Sequence, residues 1–297
     1  MATPELILEP RPVLDAPRTG ASAHRFDLLR YLARHAPLAT LLVGGFLVLA
    51  VFGPWLEPHD PNAIDLVSRL QGSSWNHLLG TDQYGHDVLS RLIAAARVAA
   101  EAALIVVLIG GAIGTVLGLL AGGLGGVIDL VISRVVEIVQ GFPVILLAIG
   151  LVAILGPSLV HAMLAAGVGA IPDFARISRG IALQLRRREF VEAARSAGAS
   201  ELRILRTEVL PNMVGALIVI TSFDAAQAVM YESALSFLGL GVQPPTSSYG
   251  VMLSEAKGYL SEQPLYAVYT GVALALVILG LNLIGDALSD YFDRGEA

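Results

Sequence analysis

The chain of 297 residues contains no cysteine. Disulfide bonds, thiolate metal sites and cysteine nucleophiles are therefore excluded. Charged residues are also scarce, at 15% of the sequence, whereas soluble domains carry roughly 25%. Hydrophobic residues make up 55% of the chain, and the mean hydropathy is +0.70. This balance excludes an ordinary soluble domain and predicts a membrane protein.

Motifs for nucleotide hydrolysis and for intramembrane catalysis are also absent. The sequence has no G-x₄-G-K-[ST] loop to hold nucleotide phosphates and no H-E-x₂-H metalloprotease motif. No nucleophile–base pair is evident at membrane depth, which disfavours an intramembrane enzyme. An ion-coupled secondary carrier commonly shows internal repeats with broken helices, and no second copy of the basic, glycine-hinged loop described below occurs in the other half.

Long apolar runs divide the chain. About 20 apolar residues in a helix cross the hydrocarbon core of a bilayer. Pro37–Leu56 forms the first such run, and five more follow at 98–122, 127–155, 157–171, 212–238 and 265–288. We therefore predict about six transmembrane helices. The run at 157–171 is short and needs flanking residues or a kinked path.

Polar stretches separate these runs. The proline-rich stretch 1–36 is expected to be a mobile N-terminal tail, and 57–97 an extracytoplasmic segment. Residues 98–290 then form the core of the membrane domain, interrupted by a polar loop at 172–211. A C-terminal tail is expected at 291–297.

Lys and Arg are distributed unevenly between the two sides of this arrangement. Most of them lie in the N-terminal tail, in the loop 172–211 and at the C-terminus, whereas the opposite side holds only Arg69, Arg91, Arg97 and Lys257. Positively charged loops stay in the cytoplasm. The distribution therefore predicts that both termini and the loop 172–211 are cytoplasmic.

The second predicted span carries glycine at four-residue spacing. The repeat comprises Gly110, Gly114, Gly118, Gly122 and Gly126. Residues four apart share one face of a helix, so these glycines form a smooth strip that another backbone can approach closely. Packing within the chain is the preferred interpretation, and contact with another subunit is the alternative.

The loop 172–211 contains an amphipathic helix–glycine–helix pattern. Apolar or small residues recur there at the spacing of a helix, namely Val191, Ala194, Gly198, Leu202, Leu205 and Val209. Gly198 suits the left-handed end of the first helix, and Ser200 can cap the second. Pro211 fits the start of the next span. We expect a shallow surface for a partner protein, although Arg186–Arg188 would also suit anionic lipid.

This loop also contains E-A-A-x₃-G followed by Leu-Pro, carried by Glu192, Ala193, Ala194, Gly198, Leu210 and Pro211. The pattern resembles the signature of permease subunits of binding-protein-dependent ABC importers. Three further blocks, at 77–99, 232–253 and 282–293, resemble the C-type permeases of the dipeptide, oligopeptide and nickel importers. His86 departs from the pattern, because arginine is usual there, and Glu208 stands where an aliphatic residue is frequent.

The resemblance implies an all-α polytopic membrane protein with the fold of a type I ABC importer permease, in the inner membrane of a bacterium. It implies that the loop 172–211 couples the chain to an ATPase. The coupling residues would be Glu192, Ala193, Ala194, Gly198, Ala199, Ser200, Leu210 and Pro211. No cofactor is expected on this chain, since ATP and Mg would be bound by partner subunits.

The resemblance also implies a set of partners and a cargo. The partners would be a homologous second permease, two cytoplasmic ATP-binding subunits, an extracytoplasmic solute-binding protein and membrane lipid, with no nucleic acid. The cargo would be di- or oligopeptides, with nickel or another small solute as the alternative and an ion-coupled carrier less favoured.

Two acidic residues lie within the fifth predicted span. Ionisable groups within a membrane are costly and usually face a cavity or a partner. Asp224 and Glu232 are eight residues apart and so lie on broadly the same face. They are candidates for the translocation path, and a packing or gating role is preferred over direct substrate contact. Arg134 and Glu137 are expected to pair with each other on the third span.

The external segment is rich in histidine and aspartate. These residues are His59, Asp60, His77, Asp82, His86 and Asp87. Although such side chains bind transition metals, no H-x₃-H spacing is present, and we expect no metal site. Asp82 and Asp87 are instead expected to cap and orient an external helix at Val88–Arg97. Together with Arg91 they are candidates for contact with the binding protein.

Overall fold

The structure, a computed structural model, describes residues 21–295, and within that range the chain is helical with no strand. The α-helices are α1 Ala21–His35, α2 Pro37–Leu56, α3 Val88–Leu124, α4 Gly126–Gln140, α5 Val144–Leu155, α6 Leu159–Leu185, α7 Glu189–Ser196, α8 Glu201–Ile204, α9 Leu210–Phe237, α10 Tyr249–Ala256 and α11 Pro264–Gly295. Short 3₁₀ turns occur at Leu66–Ser68 and Lys257–Tyr259, and a π-helical turn at Leu205–Val209 joins α8 to α9.

Four helical stretches within the described range are long and apolar enough to cross a membrane. They are Pro37–Leu56, Val88–Leu124, Glu201–Phe237 and Pro264–Asp293. A fifth span results if α4 and α5 count as one bent crossing. The prediction of an all-α polytopic membrane protein is confirmed, although the sequence predicted six spans and this criterion gives four or five.

The run 127–155, predicted as one span, is not one continuous helix. The chain bends by 79° between α4 and α5. Pro143 lies at the bend, immediately before α5. Proline lacks the backbone N–H and disfavours helical geometry in the residue before it, so α4 ends before Pro143 and α5 begins after it.

The polar loop begins later than predicted, because α6 continues to Leu185. Its 27 residues make it about 40 Å long at 1.5 Å per residue. The short apolar run 157–171 is therefore extended by flanking residues, as expected, and Pro172 lies inside the helix. Arg176 and Arg179, which were predicted to lie in the loop, are part of α6. These charges make α6 less apolar than the other long helices.

The boundaries at both tails and at the external segment also differ from the prediction. α1 forms within the stretch 1–36, which was predicted to be mobile, and α11 continues into the predicted tail to Gly295. Residues 1–20 and 296–297 lie outside the described residues. α3 begins at Val88 and has 37 residues, about 56 Å, so the expected external helix Val88–Arg97 is the first part of a longer helix.

The glycine strip of α3 packs against α6, as the preferred interpretation of the sequence predicted. A β-carbon on Gly110 would lie 2.7 Å from the β-carbon of Ala170, and one on Gly114 would lie 2.6 Å from the carbonyl oxygen of Ile171. Gly118 and Gly122 meet α6 in the same way. Gly126 does not belong to the strip, since it begins α4 with open space around it. The two backbones therefore approach closely, and α3 and α6 form the centre of the molecule.

Candidate functional site

The E-A-A-x₃-G pattern forms a helix end of the Schellman type. α7 ends near Gly198, whose φ is +84°, in the left-handed region that favours glycine. The N–H of Ala199 donates to the carbonyl of Ala194 at 3.1 Å, and the N–H of Gly198 donates to that of Arg195 at 3.0 Å. These two bonds are the ones that satisfy the last carbonyls in a Schellman motif. The spacing of Ala194 and Gly198 in the pattern therefore follows from the geometry of this turn.

An ion pair holds the two arms of the turn together. The Arg195 guanidinium donates to both carboxylate oxygens of Glu201, with distances of 2.7 and 3.1 Å. These hydrogen bonds raise the pKa of Arg195 above its usual value. Paired donors in a fork match a carboxylate in geometry as well as charge, so the ion pair fixes α8 relative to α7.

Apolar side chains anchor the turn to the ends of three long helices. Val191, Ile204, Leu205 and Val209 are buried in one cluster. The other buried members are Leu119 of α3, Ala182 of α6 and Met213 of α9. This cluster anchors the stretch Glu189–Val209 to α3, α6 and α9. We call this stretch the docking segment.

The opposite face of the docking segment is exposed. Glu192, Ala193, Gly198 and Ser200 are exposed, whereas Ala194 and Ala199 are half-buried. Just beyond the segment, at the start of α9, Leu210 is half-buried and Pro211 is exposed. The basic residues Arg186–Arg188 precede it and are also exposed. The small residues Ala193 and Gly198 thus lie on a surface that a partner can reach.

Two details of the docking segment differ from the sequence prediction. Leu202 was expected in the buried stripe but is 63% exposed, and Ile204 takes its place with 1% exposure. The turn at Gly198 and the π-helical turn break the single helical period on which that prediction relied. Ser200 occupies the capping position of α8, but its side chain makes no capping hydrogen bond.

Asp224 and Glu232 are both buried in α9, but only one is satisfied. The carboxylate of Glu232 accepts from the hydroxyl of Ser236 at 2.7 Å and from that of Ser233 at 3.3 Å. Oδ2 of Asp224 has no hydrogen-bond partner among the described residues. A buried polar atom without a partner is costly, so Asp224 differs from the packed Glu232.

The outer end of α3 holds a buried ionic cluster. The Arg91 guanidinium contacts Asp82, lies 2.8 Å from Oε2 of Glu255 and donates to the hydroxyl of Ser247 at 2.9 Å. The hydroxyl of Tyr266 donates to the same Glu255 oxygen at 3.1 Å. The cluster therefore connects the external segment to α10 and α11. Sequence reasoning missed Glu255, although it is the acidic residue of an otherwise uncharged α10.

Asp82 and Asp87 have separate roles in this region. Asp87 caps α3 as expected, with Oδ2 accepting from the N–H of Ser90 at 2.8 Å. Asp82 does not cap the helix. It accepts instead from the N–H groups of Tyr84 and His86. The side chains of Asp82, Asp87 and Arg91 are buried, so they are not exposed for direct contact with another protein, and the contact with a binding protein stays a prediction.

Histidine completes the hydrogen bonding of both aspartates. Nδ1 of His86 lies 2.8 Å from Oδ2 of Asp82, and Nδ1 of His77 lies 3.0 Å from Oδ1 of Asp87. His86, which stands where the resembled permeases usually have arginine, thus pairs with a buried carboxylate. His59 also approaches Asp87, a convergence that the sequence spacing did not predict.

The pair Arg134–Glu137 is present as expected. Nη1 of Arg134 donates to Oε2 of Glu137 at 2.7 Å, and both side chains are exposed. A second pair joins α4 to α6, in which the Arg179 guanidinium donates to both oxygens of Asp129 at 2.5 and 2.8 Å. These contacts give every charged residue of α4 a partner.

Known proteins resemble this chain over most of its length. The family model described as binding-protein-dependent transport system inner membrane component matches residues 114–296. The probable D,D-dipeptide transport system permease protein DdpC of Escherichia coli (strain K12) is 38% identical over 268 residues, which are 89% of this chain and 90% of that protein. The glutathione transport system permease protein GsiD of Shigella flexneri serotype 5b (strain 8401) is 38% identical over 291 residues, covering 97% and 96%.

A solved structure is also similar. It is described as inward facing conformations of the MetNI methionine ABC transporter, CY5 native crystal form. One of its chains is 19% identical with a TM-score of 0.49, and the match covers 68% of this chain and 95% of that chain.

Proposed function

Because the chain belongs to the family of binding-protein-dependent transport system inner membrane components, we propose that it imports di- or oligopeptides as the permease subunit of an ATP-driven transporter. The observation that supports a peptide cargo is the 38% identity of this chain, over nearly the whole of both chains, to permeases named for a D,D-dipeptide and for glutathione. Both of those solutes are peptides. The chain is a permease and not an enzyme.

The chain is a multi-pass protein of the inner membrane, and its family works with an ATPase and a binding protein. The assembly that we propose contains two cytoplasmic ATP-binding subunits, which hold ATP and Mg, and a homologous second permease. The apolar residues Leu41, Leu108 and Ile154 are exposed on α2, α3 and α5. Such faces support burial against lipid or against the second permease.

We further propose that the docking segment receives the ATPase. Its exposed face carries small residues, and its buried face contacts three long helices. A movement of the bound ATPase would therefore be transmitted to the membrane domain. The basic residues Arg186–Arg188 and the positive-inside rule support a cytoplasmic location for this segment and for both termini.

Asp224 is our candidate for the translocation path. A carboxylate oxygen that is buried without a partner, within a membrane-spanning helix, is expensive to keep. Facing a path that holds water or the cargo would offset that cost in the assembled permease. Glu232, which is satisfied by neighbouring serines, is assigned to packing or gating.

The test of coupling is a substitution at Gly198. A β-carbon there meets no atom within 4 Å, and Asp and Asn tolerate left-handed backbone better than other residues. We expect Gly198→Asp to insert normally but to abolish uptake of a labelled dipeptide, because a charge then occupies the docking face.

Gly198→Asn is the matched control, since it has the same shape without the charge. It is expected to retain more uptake than Gly198→Asp at equal amounts of inserted protein. Wild-type uptake by the Asp variant would contradict the proposed role of the docking segment.

A further inference from the structure

Three metal-binding side chains converge at the outer end of α3. His59 follows the end of α2, His77 lies in the external segment, and Asp87 caps α3. One ligand atom from each lies within 4.8 Å of the other two. Nδ1 of His77 is 3.0 Å from Oδ1 of Asp87, and Nδ1 of His59 is 3.9 Å from the same oxygen. Separate parts of the chain therefore supply the three donors.

The two oxygens of Asp87 are used differently. Oδ2 accepts from the N–H of Ser90 at 2.8 Å and from its hydroxyl at 2.7 Å. Oδ1 is directed at the two imidazoles. The cap therefore holds the carboxylate in place, and a ligand on Oδ1 does not compete with the helix.

The fold also positions His59 before any ligand arrives. Its backbone N–H donates to the hydroxyl of Ser90 at 3.0 Å. The imidazole rings of His59 and His77 have centroids 4.9 Å apart. Asp87 is buried and His77 half-buried, but the side chain of His59 is 44% exposed, which leaves an open approach from solvent.

We propose that His59, His77 and Asp87 bind a divalent transition-metal ion of the Zn²⁺ type. Zinc bonds of about 2.0–2.2 Å in tetrahedral geometry place neighbouring donor atoms about 3.3 Å apart, and the two observed separations lie on either side of that value. Imidazole donors favour zinc over calcium or magnesium, which prefer oxygen ligands. Three protein ligands leave a fourth position for water on the exposed side of His59.

Such an ion would fasten the end of α2 to the start of α3. Without it, His59 is linked to Asp87 through the hydroxyl of Ser90, which accepts from the His59 N–H and donates to Oδ2 of Asp87, and by the 3.9 Å approach of the His59 ring. The proposal concerns this external segment and does not depend on the cargo or on the docking segment.

The experiment is a zinc titration of the full-length chain, purified in detergent without a polyhistidine tag and stripped with a chelator. Calorimetry should show one zinc ion per chain, and zinc should raise the melting temperature because it binds the folded form. His59→Ala combined with His77→Ala should abolish both effects. The single variant His59→Gln, which changes an exposed side chain, should weaken binding at least about ten-fold.

His86→Ala is the matched control, because His86 also pairs with a buried aspartate in the same segment but has no second histidine beside it. It should bind zinc as the wild type does. The proposal is overturned if the wild type binds no stoichiometric zinc, if His59→Gln binds it as tightly as the wild type, or if His86→Ala loses it equally.

Discussion

Single glycines of α3 decide how closely α6 can approach. A β-carbon on Gly118 would meet the carbonyl oxygen of Ala175 and lie 2.6 Å from the β-carbon of Ser178. At Gly111, seven residues earlier, the nearest atoms belong to Phe174 at 3.5 Å, which is ordinary contact. The same substitution at these two positions therefore has opposite consequences.

We predict that Gly118→Ala destabilises the protein and Gly111→Ala does not. Overpacking costs about 1–3 kcal/mol, whereas alanine in a helix gains about 0.5–1 kcal/mol over glycine where space allows. Thermal unfolding in detergent measures both variants. Equal melting temperatures for the two would contradict the close packing of α3 on α6.

A second residue-scale prediction concerns Arg91. Its removal leaves the buried Asp82 and the half-buried Glu255 without their cation, and breaking a buried ion pair in this way costs about 3–5 kcal/mol. Arg91→Met should therefore lower the melting temperature and the yield of folded protein.

Arg97→Met is the control for Arg91→Met, in the same helix. Arg97 pairs with Glu101 at 3.1 Å, but both side chains are at least half exposed, and such pairs contribute at most about 1 kcal/mol. If Arg97→Met were as damaging as Arg91→Met, burial of the Arg91 cluster would not be the cause.

At the scale of elements, α7 and α8 act together through the ion pair Arg195–Glu201. We predict that Arg195→Ala and Glu201→Ala each reduce peptide uptake by a similar factor, and that the double variant is no worse than either alone. This non-additivity is the signature of two side chains that act through each other. Uptake that falls multiplicatively in the double variant would show that the two residues act separately.

The regions that form long apolar helices were predictable from the sequence, but several helix boundaries were not. Apolar length identified the regions of α2, α3, α9 and α11, because the burial of apolar residues in lipid is a local property. That flanking residues extend α6 was expected, but its continuation to Leu185 was not, since charged residues interrupt the apolar pattern there and the packing against the α3 glycines is not visible in the sequence.

For the candidate sites too, features set by neighbouring residues were predictable from the sequence, and contacts between distant residues were not. Gly198 was predicted in its left-handed turn from the motif alone. His59, His77 and Asp87 are far apart in sequence, and only the fold of the external segment brings them together. Leu202 was misplaced because the turn at Gly198 and the π-helical turn at Leu205–Val209 break the single helical period on which the prediction relied.

The whole molecule should place its two polar faces on opposite sides of the membrane. The chain has no cysteine, so a single introduced thiol is the only one to label. We predict that Ser73→Cys reacts with an impermeant maleimide in spheroplasts, whereas Ser200→Cys reacts only after permeabilisation. Both serines are exposed, so burial does not explain a difference. The reverse pattern would invert the proposed topology.

The helix from Glu201 to Phe237 has 37 residues, and no loop separates the exposed turn at Gly198 from the depth at which Asp224 and Glu232 lie. A continuous helical stretch of this kind can transmit rotation as well as translation. At 1.5 Å per residue, Asp224 and Glu232 lie about 35 and 47 Å along this stretch from Glu201. If the docking segment receives the ATPase, as we propose, one helical stretch connects the bound partner to both acidic residues, and a movement of that partner is expected to displace them together.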